Sequence, residues 1–114
     1  MRLDCFRILH YHPYMRHSIA PGSTSFMILF ALAAGPLSGS EIQQQIIADN
    51  VGEYVKSTTL YQDLRRLEAK GYVELVGEQG AERFFELTKD GSLALERGVK
   101  LLKILTTLAM QRRI

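Results

Sequence analysis

The feature of the sequence that most restricts the fold is an amphipathic helix followed directly by two short strands. Ser57 is predicted to cap the start of this helix and Gly71 to end it, and leucines recur along one side at positions 60, 64 and 67. Residues 72–76 and 83–87 have the composition of short strands, and the glycine-containing segment 77–82 has the length of a hairpin loop. The sequence therefore predicts a β-hairpin immediately after a helix with one buried side.

A second helix is predicted before this unit, and its start is well marked. Ser38 and Glu41 form an S-x-x-E capping box, in which each side chain accepts a backbone N–H at the helix entrance. The isoleucines at positions 42, 46 and 47 are predicted to face inward, whereas the glutamines at positions 43–45 are predicted to face solvent. The helix is expected to end near Asp49-Asn50.

The first helix of the set is predicted from the most apolar stretch of the chain, residues 26–34. Ser23, Thr24 or Ser25 can cap it, and Gly35-Pro36 is a stop signal. Because this stretch is apolar on every side, it is predicted to be the central core helix. It is too short for the ~20 residues that cross a bilayer. A signal-peptide core is the alternative interpretation, but the preceding segment is long for a charged leader.

The composition is that of one ordinary soluble domain. The chain has 114 residues, of which 46% are hydrophobic and 23% are charged. Fourteen Lys and Arg residues against twelve Asp and Glu give a net charge of +2. A nucleic-acid-binding protein is therefore not identified by its total charge, and any basic patch must be local. The single cysteine, Cys5, excludes an internal disulfide.

A final helix is predicted from Thr88 or Lys89 to the C-terminus, with apolar residues over about half of its circumference. One small domain does not cover so wide a face, so a second copy of the chain is expected to pack there. The predicted dimerisation residues are Leu95, Val99, Leu102, Leu105 and Ala109. The resulting plan is an N-terminal arm or tail (1–22), a domain of three helices and a hairpin (23–88) and a C-terminal dimerisation helix (89–114).

The order of three helices and a hairpin is that of a winged helix-turn-helix, a mainly α fold with a small β-hairpin. In this fold the helix before the hairpin enters the major groove of DNA and the hairpin forms the wing. The side of that helix opposite the leucines offers hydroxyls, an amide and two guanidiniums, which suit bases and phosphates. The candidate DNA-binding residues are Lys56, Ser57, Thr58, Thr59, Tyr61, Gln62, Arg65, Arg66 and Arg83.

Several motifs, in the same order, resemble those of the PadR-like transcriptional regulators, over residues 26 to about 91. They are Ile28-Leu29-Phe30-Ala31-Leu32, Gly35-Pro36-Leu37-Ser38-Gly39, Glu41-Ile42, Thr59-Leu60-Tyr61, Leu64, Arg66-Leu67-Glu68, Gly71-Tyr72-Val73, Arg83-Phe84-Phe85 and Leu87-Thr88-Lys89-Asp90-Gly91. Members of this family are cytoplasmic, mostly dimeric DNA-binding repressors, and this chain is similar to the short type with a single C-terminal helix.

The resemblance implies roles for individual residues. It places Tyr61 at the DNA backbone, Thr58, Thr59, Gln62 and Arg66 on the recognition surface, and Arg83 at the minor groove or phosphates. The sequence also departs from the family pattern. Gln62 stands where a proline is usual and Ser40 where an aromatic residue is usual, and Arg83 is the only basic residue of an otherwise acidic wing loop.

Other functions have weaker support in the sequence. His10, His12 and His17 offer imidazoles without other ligands at suitable spacing, and no nucleophile–base set, phosphate loop or carboxylate pair indicates an enzyme. We therefore predict a homodimeric repressor that binds a palindromic operator, without a cofactor or a membrane; a small-molecule effector is possible but not identified. The alternative is a winged-helix module that binds another protein instead of DNA.

Overall fold

The computed structural model describes residues 19–20, 22–49 and 55–113. Four α-helices, one 3-10 helix and three strands are formed in this part of the chain. They are α1 (Thr24–Ala31), followed by a 3-10 helix (Leu32–Ala34), β1 (Leu37–Ser38), α2 (Gly39–Asp49), α3 (Ser57–Ala69), β2 (Val73–Gln79), β3 (Glu82–Leu87) and α4 (Lys89–Arg113). This order confirms the predicted fold class, a mainly helical winged helix with a small sheet. Most of the predicted arm, with Cys5 and the three histidines, lies outside the described residues, as do residues 50–54.

The sheet is larger than predicted, because it has three antiparallel strands in the order β1-β3-β2. The strand β1 was not predicted; it pairs Leu37 with Phe85 and Ser38 with Phe84 at the edge of β3. The hairpin is also longer than predicted, since β2 extends to Gln79 and leaves a two-residue turn in which Gly80 has φ of 64°. Glycine adopts this left-handed backbone without the strain that a Cβ would cause, so Gly80 allows the tight turn.

Helix α1 is capped by Ser23, whose Oγ accepts a hydrogen bond from the backbone N–H of Phe26 at 3.1 Å. Ile28 and Leu29 are fully buried. The prediction that this helix is buried on every side is wrong, because the side chain of Phe30 is 47% exposed. A domain of this size has too few elements to surround a helix completely, and one side of α1 remains at the surface.

Helix α2 begins with the capping box that the sequence predicts. The backbone N–H of Ser38 donates to Glu41 Oε1 at 2.9 Å, and the backbone N–H of Glu41 donates to Ser38 Oγ at 3.3 Å. Ile42 and Ile46 are fully buried beneath it. The box therefore fixes the point at which the chain leaves β1 and enters α2.

Helix α3 ends in a Schellman motif that fixes the start of the hairpin. Gly71 has φ of 81°, its N–H donates to the carbonyl of Glu68, and the N–H of Tyr72 donates to the carbonyl of Leu67 at 2.9 Å. Leu67 and Tyr72 are both buried, as the hydrophobic contact of this motif requires. The predicted helix stop at Gly71 is confirmed.

Helix α4 begins against this same corner. Thr88, the residue before α4, makes two hydrogen bonds at this point. Its backbone N–H donates to the carbonyl of Tyr72 at 3.1 Å, and its Oγ1 accepts from the N–H of Gly91 at 3.0 Å. Gly91 has no room for a side chain, since a Cβ on it would overlap the carbonyl oxygen of Tyr72. The close approach of α4 to the backbone of Tyr72 therefore depends on glycine at position 91.

The hydrophobic core lies between α1, α2, α3, the sheet and the first half of α4. Ile19, which falls within the predicted arm, is buried in this core. Gly98 allows the ring of Phe26 to approach α4, because a Cβ there would lie 2.6 Å from Phe26 Cε1. The core of the domain thus reaches as far as Ile19 on one side and α4 on the other.

Candidate nucleic-acid interface

Helix α3 has one buried face and one free polar face. Leu60, Leu64 and Leu67 are buried in the core and hold the helix in place. The opposite face is exposed and consists of Thr58, Thr59, Gln62, Arg65 and Arg66. Helical periodicity predicts this division. The arrangement gives a firmly docked helix whose free side offers hydroxyl, amide and guanidinium groups.

The start of α3 differs from the prediction. The N-cap is Lys56, which makes no side-chain cap bond, and Ser57 is the first helical residue rather than the cap. The hydroxyl of Ser57 is instead bonded to Gln43, whose Nε2 lies 3.1 Å from Ser57 Oγ. The same Nε2 donates to the carbonyl of Val55 at 2.9 Å. Gln43 therefore joins α2 to the start of α3.

Gln43 is a positioning residue that the sequence analysis missed. It was predicted to face solvent, but it is half-buried. Its partners Val55 and Ser57 lie 12 and 14 positions along the chain, so no local pattern reveals the contact. Its physical effect is to fix how the exposed end of α3 projects from the domain.

The two arginines of α3 have different surroundings. Arg66 Nη1 lies 3.0 Å from Asp63 Oδ1, one helical turn away, in an ion pair. Arg65 instead lines a cleft between α3 and the hairpin. Asp63 therefore offsets the charge of Arg66, whereas Arg65 shares its cleft with the carboxylates of Glu68 and Glu82.

Tyr61 lies at the edge of the face, with its side chain 42% exposed. Its ring packs on Gly39 at the start of α2, where a Cβ would lie 2.5 Å from Tyr61 Cε1 and 2.6 Å from its hydroxyl oxygen. A side chain at position 39 would displace the ring. Gly39 therefore allows Tyr61 to lie flat over α2 while its hydroxyl remains beside the cleft.

The cleft itself has a volume of about 290 Å³ and is formed by the start of α2, one side of α3 and the hairpin. It brings together three of the predicted DNA-binding residues, Tyr61, Arg65 and Arg83. The remaining candidates, from Lys56 to Thr59 together with Gln62 and Arg66, are exposed elsewhere on α3 and at its start. The predicted residues therefore form one surface with two parts, the free face of α3 and the cleft.

The wing carries more acidic than basic groups. Glu74 lies opposite Glu86 in the hairpin, and Glu78 lies opposite Arg83. Glu82 lines the cleft, and its Oε1 accepts a hydrogen bond from Ser40 Oγ at 3.0 Å. The wing is thus joined to the start of α2 by a side-chain contact as well as by strand pairing.

The predicted dimerisation residues are not equally free. Leu95 and Val99 are half-buried and pack against the core of their own chain. Leu102 and Leu105 are 45% and 50% exposed, Ala109 is exposed, and Ile104, Leu108 and Met110 extend the exposed apolar surface of α4.

None of the described helices is sufficiently long and apolar to cross a membrane.

Comparison with known proteins gives the same fold. The sequence model of the family described as "Transcriptional regulator PadR-like family" matches residues 28–97, more than half of the chain. No curated protein has a significantly similar sequence. Solved structures with this fold include a transcriptional regulator from Clostridium thermocellum, with 24% identity and a TM-score of 0.70 over 79% of this chain and 89% of that one.

Two further structures are named for the family. A PadR family transcription regulator from Clostridium difficile has 23% identity and a TM-score of 0.69, over 82% of this chain and 100% of that one. The PadR protein of Bacillus subtilis, solved in complex with operator DNA, has 25% identity and a TM-score of 0.57, over 66% of this chain and 45% of that one. The family match and the shared fold together show that this chain belongs to the PadR-like family of transcriptional regulators.

Proposed function

We propose that this chain regulates transcription by binding double-stranded DNA as a homodimer. The observation that carries the proposal is the docked helix α3, which buries three leucines and presents hydroxyl, amide and guanidinium groups to solvent. A helix held in this way beside a wing fits the major groove. The operator complex of the Bacillus subtilis relative supports the same use of the fold.

Within this interface the residues have different proposed roles. Thr58, Thr59 and Gln62 face the base edges, where an amide pairs with adenine and a hydroxyl with several bases. The tyrosine hydroxyl and the cations Lys56, Arg65, Arg66 and Arg83 contact the phosphates. The hydroxyl of Ser57 is hydrogen-bonded to Gln43. We therefore expect this exposed residue to contact DNA without a hydrogen bond to a base.

The dimer follows from the distal half of α4. Within residues 19–20, 22–49 and 55–113 its leucines at positions 102, 105 and 108 stay exposed, whereas Leu95 and Val99 already contact the protomer's own core. We therefore assign the main contact to Leu102, Leu105 and Ala109. Two protomers related by a twofold axis read a roughly palindromic operator, with half-sites one helical turn apart, about 34 Å. A dimer bound over a promoter excludes other proteins, so we propose repression.

The test begins with selection of bound duplexes from random DNA by the purified protein. The selected duplex is then titrated with the wild type and with the double variant Arg65→Ala, Arg66→Ala over a range of salt concentrations. The variant should bind more weakly, and its log–log salt slope should fall by about 0.9 for each phosphate that it no longer neutralises. Lys89→Ala, Lys100→Ala is the matched control, because it removes the same charge from exposed positions on α4.

Two results would contradict the proposal. One is a folded double arginine variant that binds the selected duplex as tightly as the wild type. The other is a failure to select any duplex at low salt, which would favour a module that binds another protein. The acidic wing is the observation that favours this second function.

A further inference from the structure

The carboxylate of Glu82 has an unusual position for a surface side chain on a hairpin. It is held in the cleft by a hydrogen bond from Ser40 Oγ, which lies 3.0 Å away on α2. Ser40 Oγ in turn lies 3.3 Å from Ser38 Oγ, so the contact joins a short row of hydroxyls at the start of that helix. A negative charge is thereby held in the cleft between α3 and the wing, the two elements that the proposed DNA complex uses.

The charged residues that line the cleft determine how strongly it attracts an anion. Arg65 and Arg83 line the cleft from α3 and the wing, and Glu68 and Glu82 line it as well. The two carboxylates offset the two guanidiniums, so the cleft has no formal net charge. A phosphate that enters the cleft toward either arginine also approaches these carboxylates, of which Glu82 is held by Ser40, and like charges repel at short range.

We propose that Glu82 weakens DNA binding by this chain, because its carboxylate, held by Ser40, occupies the part of the cleft that a DNA phosphate approaches. This inference rests on the proposed function and adds a regulating residue to the same interface. The wing therefore binds DNA less tightly than it would if the charge of Arg83 were not opposed by the carboxylate of Glu82. The Ser40 hydroxyl, which a phosphate oxygen can accept from equally well, is already used within the protein.

The test compares two variants that each remove one negative charge from the hairpin. Glu82→Gln keeps an oxygen that accepts from Ser40 but removes the charge from the cleft. Glu74→Gln makes the same change at an exposed position that does not line the cleft. Affinity for the duplex selected by the wild type is measured by fluorescence anisotropy near physiological salt, where screening limits long-range effects to about 8 Å.

Glu82→Gln should bind the duplex up to about fivefold more tightly per protomer than the wild type, which corresponds to the upper end of the range for exposed charge pairs. Glu74→Gln should change the affinity by less than about twofold, since its charge is screened. In a Ser40→Ala background the gain from Glu82→Gln should shrink, because the carboxylate is no longer held in the cleft. Such a dependence is the coupling that a double-mutant cycle measures.

Equal affinities for Glu82→Gln and Glu74→Gln would overturn the inference and leave the proposed function intact. An undiminished gain in the Ser40→Ala background would overturn the role of Ser40. If the wild type binds no duplex at all, the proposed function fails, and the inference fails with it. Circular dichroism of each variant excludes unfolding as the cause of a difference.

Discussion

Replacing Gly91 with alanine is expected to destabilise the domain, although alanine normally stabilises a helix. The helix propensity of α4 gains at most about 1 kcal/mol from the change. Against this gain, the new methyl group overlaps the carbonyl oxygen of Tyr72, which is backbone and cannot rotate away. Inserting a methyl group into a packed site costs about 1–3 kcal/mol, and loosening the hydrogen bond from Thr88 to Tyr72 costs about 1 kcal/mol more.

The expected net loss in the free energy of unfolding is therefore about 2 kcal/mol, which lowers the Tm of a domain of this size by roughly 10 °C. Thermal unfolding is followed by circular dichroism at one fixed protein concentration, because a dimer's Tm depends on concentration. Gly77→Ala is the control, since a Cβ at that position meets nothing within 4 Å. A Gly91→Ala protein as stable as the wild type would refute the packing argument.

Three other predictions concern capping, backbone and assembly. Glu41→Ala should lose about 1 kcal/mol of unfolding free energy in urea titrations, because it removes one bond of the box with Ser38; no loss would show that the bond contributes nothing. Gly71→Ala should lose about 1–2 kcal/mol in the same assay, because alanine is strained at φ of 81°, and an unchanged midpoint would contradict this. Leu102→Glu with Leu105→Glu should sediment as a folded monomer at concentrations where the wild type is a dimer; a wild type that is already monomeric would refute the proposed interface.

The elements that could be predicted from the sequence are those specified by neighbours in the chain. The capping box of Ser38 and Glu41 closes within three residues, and the stop at Gly71 needs only a glycine after a row of leucines. Both appear in the structure where the sequence predicts them. The exposed face of α3 was found for the same reason, because 3.6-residue periodicity is a local property.

The features that were missed depend on contacts between distant segments. The strand β1 has two residues, too few for a recognisable pattern, and exists because the edge of β3 offers free backbone groups. Ser57 has the residue type of a cap, but the amide of Gln43 takes its hydroxyl. The widths of the apolar faces were likewise misjudged, since Phe30 stays exposed and Leu95 packs inward.

The passage of the chain from β1 into α2 without a loop has a consequence for local unfolding. Ser38 pairs with Phe84 in the sheet and forms the capping box at once, so the base of the wing cannot separate without loosening the start of the helix. Amides in β3 near Phe84 should therefore exchange hydrogen slowly, with α2, whereas those beside the Gly80 turn exchange quickly. In the proposed complex the distance between α3 and the wing is therefore set before DNA binds, so any deformation falls on the duplex, where flexible base steps cost the least energy.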